Sequence, residues 1–281
     1  MICVKQKYSR INIKTLIQKG ISPMKYLRFL TPDNEIRFGL IDPENEQRII
    51  ELDGDFLDGA QPTDEEYFLS DIKILPPTVP SKIIAVGLNY YDHIKEFGDR
   101  PVPENPTLFN KFPHTVIGMN DGIENHPISE RIDFEGEMAI VISKHCKDVK
   151  AEHADEYIFG VTCLNDVTAR DIQRADGQWL RGKNLETFCP MGPFVATGLD
   201  YGNLHIQSRL NGKIMQDSTT ALMMHSAQKL VEFISQAFPL EKGDIISTGT
   251  PKGVGPMVRG DVIEIELENV GILRNIFKDA E

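Results

Sequence analysis

Short apolar runs recur along most of this chain, and helices rarely separate them. They fall at residues 82–86, 137–142, 158–163, 194–197, 206–210, 244–248 and 262–267. Each is bounded by Gly, Pro, Asn or Asp, as strands between tight turns are. Only a few stretches read as helix, chiefly 151–157 and 221–237. A doubly wound sheet needs a helix between successive parallel strands, so that architecture is excluded. The expectation is α+β, mostly β.

A proline-dense stretch, Ile74-Leu75-Pro76-Pro77-Thr78-Val79-Pro80, divides the chain. Such a segment is extended and stiff. Three parts follow from it: an N-terminal extension at 1–23, a small β-rich domain at 24–78, and a block of about 200 residues at 80–281. That suits 281 residues at roughly 150 per domain. Residues 26–30 and 36–41 read as a hairpin around the turn-rich Thr31-Pro32-Asp33-Asn34-Glu35. The extension carries Lys5, Lys7, Arg10, Lys14 and Lys19 and no acid. Its positives are mostly Lys and it has no apolar h-region, so it reads as a non-structural extension rather than a targeting peptide.

Charge narrows the partners. Thirty Lys and Arg against 42 Asp and Glu leave a formal net charge of −12. Nucleic acid and anionic membrane both require a basic face, so neither is an expected partner. The longest apolar runs, such as Met138–Ile142, are far short of the ~18 residues of a membrane span. Cys3, Cys146, Cys163 and Cys189 never form a C-x-x-C pair and read as reduced core thiols in a cytoplasmic protein.

Several clusters can carry chemistry. Glu135 and Glu137 enter an apolar strand, and at period two they share a face. Two buried like charges repel, and a divalent cation removes that cost; an exposed strand end explains the pair equally. Asp166 follows another apolar strand, 158–163, which runs into Asn165, and it reads either as a third ligand or as a cap. Three carboxylates without His or Cys form a hard-oxygen set suited to Mg²⁺ or Mn²⁺, with Ca²⁺ also compatible. His93 and Glu96 are three apart and meet on one helix face, as a base with its orienting carboxylate or as an incidental ion pair. Trp179-Leu180-Arg181-Gly182-Lys183 holds the only Trp, with Lys183 just after a Gly. Thr248-Gly249-Thr250-Pro251-Lys252-Gly253-Val254-Gly255 is not a P-loop, though its backbone can hold a carboxylate; a plain turn is the other reading.

Taken together, these segments resemble the fumarylacetoacetate hydrolase family. The matching motifs are G-x-N-Y-x-x-H-x-x-E at 87–96, the E-x-E core at 135–137, N-D-V-T-A-R-D at 165–171, G-K at 182–183, P-x-G-P at 190–193 and T-G-T-P-x-G-V-G at 248–255. The resemblance spans about residues 80–281. It implies a mixed β-sandwich or β-roll, usually dimeric, with Glu135, Glu137 and Asp166 as metal ligands. It implies that His93 and Glu96 activate water and that Lys183 meets the developing oxyanion. It places Arg170, Gln173 and Thr250 at the substrate. The implied reaction is cleavage of a C–C bond in a small 2,4-dioxo acid of the acylpyruvate or fumarylpyruvate type. Oxaloacetate decarboxylation and hydroxy-diene dioate isomerisation are alternatives on the same site. Ureidoglycolate cleavage and a non-catalytic keto-acid-binding module rank below them.

Overall fold

The structure, a computed structural model, describes residues 23–96, 98 and 101–279. The 1–23 extension and Cys3 therefore lie outside the described residues, apart from Pro23 itself. In chain order the strands are β1 (Met24–Leu30), β2 (Ile36–Asp42), β3 (Asn45–Leu52), β4 (Pro62–Phe68), β5 (Lys73–Leu75), β6 (Ile83–Gly87), β7 (Thr107–Lys111), β8 (Val116–Ile117), β9 (Gly122–Asn125) and β10 (Ile132–Phe134). They continue as β11 (Gly136–Ile142), β12 (Ile158–Asn165), β13 (Thr168–Ala169), β14 (Cys189–Thr197), β15 (His205–Leu210), β16 (Lys213–Thr219), β17 (Ile245–Ser247), β18 (Gly255–Pro256), β19 (Val262–Leu267) and β20 (Gly271–Asp279). The helices are α1 (Tyr91–Glu96), α2 (Arg170–Asp176), α3 (Leu180–Lys183) and α4 (Ala227–Ala237). The fold is mostly β.

Among the described residues, twelve strands form one sheet, whose main path runs β4-β3-β2-β1-β14-β12-β11-β17-β6-β7. The expected hairpin is β1–β2, with Leu30 opposite Ile36. Its sheet does not stop at the proline-rich segment. β1 pairs antiparallel with β14, Tyr26 opposite Val195, so the N-terminal strands extend the central sheet. A second sheet, β16-β15-β19-β20-β9, packs against it.

β11 shows why the central runs are uniformly apolar. All seven of its residues are buried. Successive side chains point to opposite faces of a strand. Met138, Ile140 and Ile142 enter the core shared with Ile206, Ile265 and Leu273 of the second sheet. Ala139 and Val141 enter another core with Met24, Tyr26 and Leu40 of the N-terminal strands. With both faces covered, polar alternation has nowhere to appear.

The stretch expected as helix at 221–237 is divided. A 3₁₀ turn covers Thr220–Leu222, and α4 starts after Ser226, whose side chain caps it by accepting from Lys229 N. Residues between them serve Asn89 instead. Met224 N donates to Asn89 O and His225 N to Asn89 Oδ1, both at 2.8 Å. Those bonds hold residues 224 and 225 out of the helix. The other expected helix is a 3₁₀ segment, Ala151–Glu156.

Cys146, Cys163 and Cys189 are buried and free of disulfides. Burial pushes the Cys163 and Cys189 thiols up to about 12, away from reactivity. Among the described residues, no helix is long and apolar enough to cross a membrane.

Candidate active site

The carboxylate cluster is built by one ladder. β11 and β12 run antiparallel with Gly136 opposite Asn165. The next pair outward is Glu135 and Asp166, where Asp166 N donates to Glu135 O at 2.8 Å. Glu135 falls between β10 and β11, so the strand is interrupted there. Glu137 is two residues further on and returns to the same face. One oxygen from each of Glu135, Glu137 and Asp166 lies within 4.8 Å of the other two, and all three residues are buried.

Their surroundings are unequal. Lys183 Nζ donates to Glu135 Oε2 at 2.8 Å and closely to Asp166 Oδ2. Arg170 Nη2 reaches Glu135 Oε1, and its Nε donates to Asp133 Oδ2 at 2.9 Å. Burial alone would raise the Glu135 carboxyl, but Lys183, Arg170 and His93 outweigh it and hold the group well below the usual carboxylate range. Burial also disfavours charge on Lys183, yet Asp166 and Glu135 keep it an ammonium.

Among the described residues, Glu137 has no cation of its own. Its Oε2 accepts from Ser247 Oγ at 2.5 Å and Gly249 N at 2.9 Å, while Oε1 makes no hydrogen bond among the described residues. Burial, then the charges of Asp166 and Glu135, push it up to about 8. An unpaired buried carboxylate beside two others is expensive. A hard divalent cation removes that cost, so the donor set fits Mg²⁺, Mn²⁺ or Ca²⁺.

Glu137 gives a pH test without metal. Its folded-state value lies above that of an unfolded Glu, so between about pH 4.5 and 8 the folded state binds the extra proton. Its contribution is complete below that window and is lost as pH rises through it. In chelator, the stability difference between wild type and Glu137→Gln is therefore expected to turn against wild type from pH 5 to 8. Urea melts at the two pH values measure it, and a constant difference refutes it.

The dyad sits beside this cluster. In α1, His93 Nδ1 and Glu96 Oε2 are 2.8 Å apart. His93 is buried, and it lines one cavity of ≈ 320 Å³ with Glu135, Glu137, Asp166 and Lys183. The contact between Nδ1 and Glu96 fixes the orientation of the imidazole. Glu96 is itself anchored, because its Oε1 accepts from Gly253 N at 2.7 Å. Gly253 has φ +104°, and a Cβ there would lie 2.1 Å from Met215 O. Only Gly allows that approach. The 248–255 loop thus holds two of the protein's own carboxylates, Glu137 and Glu96.

Arg170, Gln173 and Thr250 also line the cavity. Arg170 Nη1 donates to Gln173 Oε1 at 2.8 Å. Thr250 Oγ1 donates to Gly136 O at 2.8 Å and accepts from Gln216 Nε2 at 2.7 Å, so its hydroxyl proton is committed to the backbone.

Sequence reading missed Lys111, Asp133 and Phe109, which forms an aromatic wall with the Trp179 it had singled out. Lys111 ends β7 and is buried; its Nζ donates at 2.7 Å both to Asp166 Oδ1 and to Lys183 O. A Lys closing an apolar strand ordinarily marks a solvated end, so nothing local distinguishes it. Trp179 packs on Gly87, where a Cβ would be 2.3 Å from the indole, and meets Phe109 edge-on at 5.3 Å. Lys183 Nζ lies 4.8 Å from the centre of the Phe109 ring. Replacing Lys111 by Met is expected to cost about 3–5 kcal/mol, the penalty for breaking a buried pair. Urea unfolding measures it; a loss below about 1 kcal/mol would show that Asp166 does not need this partner.

Comparison with known proteins places this geometry. The model of the fumarylacetoacetate (FAA) hydrolase C-terminal family matches residues 82–278. An Rv2993c-like N-terminal model matches residues 24–77. The mitochondrial oxaloacetate tautomerase Fahd2a of Rattus norvegicus is 44% identical over 213 residues, covering 72% of this chain and 68% of its own. The crystal structure of 2-hydroxyhepta-2,4-diene-1,7-dioate isomerase from Mycobacterium marinum superposes with a TM-score of 0.84 at 36% identity, covering 91% of this chain and 98% of its own. A maleylpyruvate hydrolase from Sphingobium, solved with manganese(II) and pyruvate, gives a TM-score of 0.74 at 26% identity, covering 92% of this chain and all of its own.

Proposed function

This chain belongs to the fumarylacetoacetate hydrolase family, and from that premise we propose that it is a divalent-cation-dependent enzyme that moves a proton next to the keto group of a small dicarboxylic α-keto acid. Tautomerisation of oxaloacetate is the reaction we put first. The observation that carries it is the His93–Glu96 pair lining the same cavity as the three carboxylates and Lys183. The names of the tautomerase and isomerase relatives support that choice over C–C hydrolysis.

Glu135, Glu137 and Asp166 would hold the cation, Mg²⁺ or Mn²⁺. When bound, it supplies Lewis acidity toward the carboxylate and keto oxygens of the substrate. His93 Nε2 takes a proton from C3 of the keto form. Glu96, at Nδ1, balances the imidazolium that results. The C3 electron pair moves into the C2–C3 bond, and negative charge gathers on the C2 oxygen. Lys183 and Arg170 place positive charge around that oxygen. Return of the proton from His93 to the oxygen completes the enol, and the reverse sequence restores the keto form. Arg170 also orients Glu135 and Gln173. Trp179 and Phe109 wall the cavity from water on one side.

Hydrolysis of an acylpyruvate is the second reading, because the same His93 can take its proton from water. A setting as a cytoplasmic homodimer is likewise proposed; it rests on the family resemblance and on buried thiols without disulfides, and sedimentation tests the dimer. The deciding experiment is a panel of oxaloacetate, acetylpyruvate, fumarylpyruvate and a hydroxy-diene dioate with Mg²⁺ or Mn²⁺. Loss of enol absorbance is followed together with products. Faster enol–keto exchange of oxaloacetate, abolished by chelation, is the expected result. Acylpyruvate cleavage outrunning that exchange overturns the first reading, and activity surviving exhaustive chelation overturns the metal requirement.

A further inference from the structure

The geometry points to Arg174 as the residue that selects dicarboxylic over monocarboxylic keto acids, by pairing with the carboxylate remote from the keto group. The inference rests on the keto-acid reading above and deepens it. Every other described cation lining the cavity is already committed. Lys183 is paired with Glu135 and Asp166, and Arg170 with Asp133 and Glu135. Lys111, behind Asp166, is likewise spent.

Arg174 differs. It lies on α2 with Arg170 and Gln173 and lines the same cavity. It makes no hydrogen bond or ion pair among the described residues and is exposed to solvent. Its neighbour in the chain is half-free as well. Gln173 Oε1 accepts from Arg170, while its amide nitrogen has no acceptor among the described residues. A planar five-donor guanidinium beside an uncommitted amide suits a carboxylate.

Charge supplies the reason for such a residue. Glu135, Glu137 and Asp166 face this cavity, and the cations beside them are already paired with carboxylates. A substrate with one carboxylate needs no more than the inner site. A second carboxylate, entering a cavity with three acids, needs its own counter-charge, and Arg174 is the cation there with donors to give. A charge-assisted hydrogen bond of this kind is worth about tenfold or more in affinity.

The test uses full-length, Mn²⁺-loaded protein and two pairs of keto acids matched in chain length: oxaloacetate with 2-oxobutyrate, and 2-oxoglutarate with 2-oxovalerate. Dissociation constants come from the change in water proton relaxation at Mn²⁺. Wild type is expected to prefer the dicarboxylate in at least one pair by about tenfold or more. Arg174→Gln is expected to remove that preference while leaving monocarboxylate affinity and Mn²⁺ affinity unchanged. Arg174→Lys should restore part of it. Arg181→Gln, which removes an exposed cation already paired with Asp176, should leave it intact and so excludes a mere change in net charge. A preference that survives in Arg174→Gln, or wild-type binding that ignores the second carboxylate, overturns the role of Arg174 alone. Absence of binding by all four acids overturns the keto-acid reading and this inference with it.

Discussion

Glu137→Ala is expected to weaken Mn²⁺ binding by at least about 100-fold and to bring catalysis down to background. Loss of an outer partner of a metal ligand already costs about 10–100-fold, and Glu137 is placed to be a ligand itself. It is the member of the cluster without a cation. Its Oε1 is uncommitted, and Ser247 and Gly249 fix Oε2. Removing it also relieves the repulsion among three acids, so the metal-free variant should be no less stable than wild type at pH 8. Loss of stability would point to a structural role instead. Glu135→Ala is a harsher change, since Lys183 and Arg170 both lose a partner. Titration of Mn²⁺ by electron paramagnetic resonance measures both variants. Wild-type affinity in either removes that residue from the ligand set.

His93→Ala is expected to lower kcat by about 10²–10⁴-fold, the range for loss of a general acid–base group. Mn²⁺ affinity should change less than threefold, about 0.7 kcal/mol, because the imidazole is tied to Glu96 and is not one of the three clustered acids. That split separates a base from a ligand. Keto acids should still bind the variant. If wild type binds them with no turnover on any, and His93→Ala binds them equally, the chain is a binding module and the dyad has no catalytic task. Glu96→Gln should fall between, since an amide oxygen still accepts from Nδ1–H while the balancing charge is gone.

The legibility of these residues in the sequence follows the range of the interactions that place them. His93 and Glu96 were readable as a pair because a helix brings i and i+3 together whatever surrounds it. Glu135 and Glu137 were readable because a strand repeats every two residues, although the strand is interrupted at Glu135 itself, between β10 and β11. The helix expected at 221–237 was not readable in detail. Asn89, over 130 positions away, takes the backbone of 224 and 225, and no local pattern announces it. The attachment of β1 to β14 is equally silent, since the ladder runs through backbone N–H and C=O groups that almost every residue carries.

The mostly-β class, the three acids and the dyad are legible in the order of the residues, and the motifs carry the family. These depend on residue type and on backbone period, which are local. Tertiary structure alone decided that Asp166 stands opposite Glu135, that Lys111 lies behind it, that Glu96 hangs from the Gly253 amide, and that Arg174 is the cation left with donors to spare. Each of these depends on a ladder register or on which opposite charges meet across distant strands. Coulombic pairing is blind to sequence separation, so a Lys or Arg reads the same whether it will be spent on a buried acid or kept for a substrate.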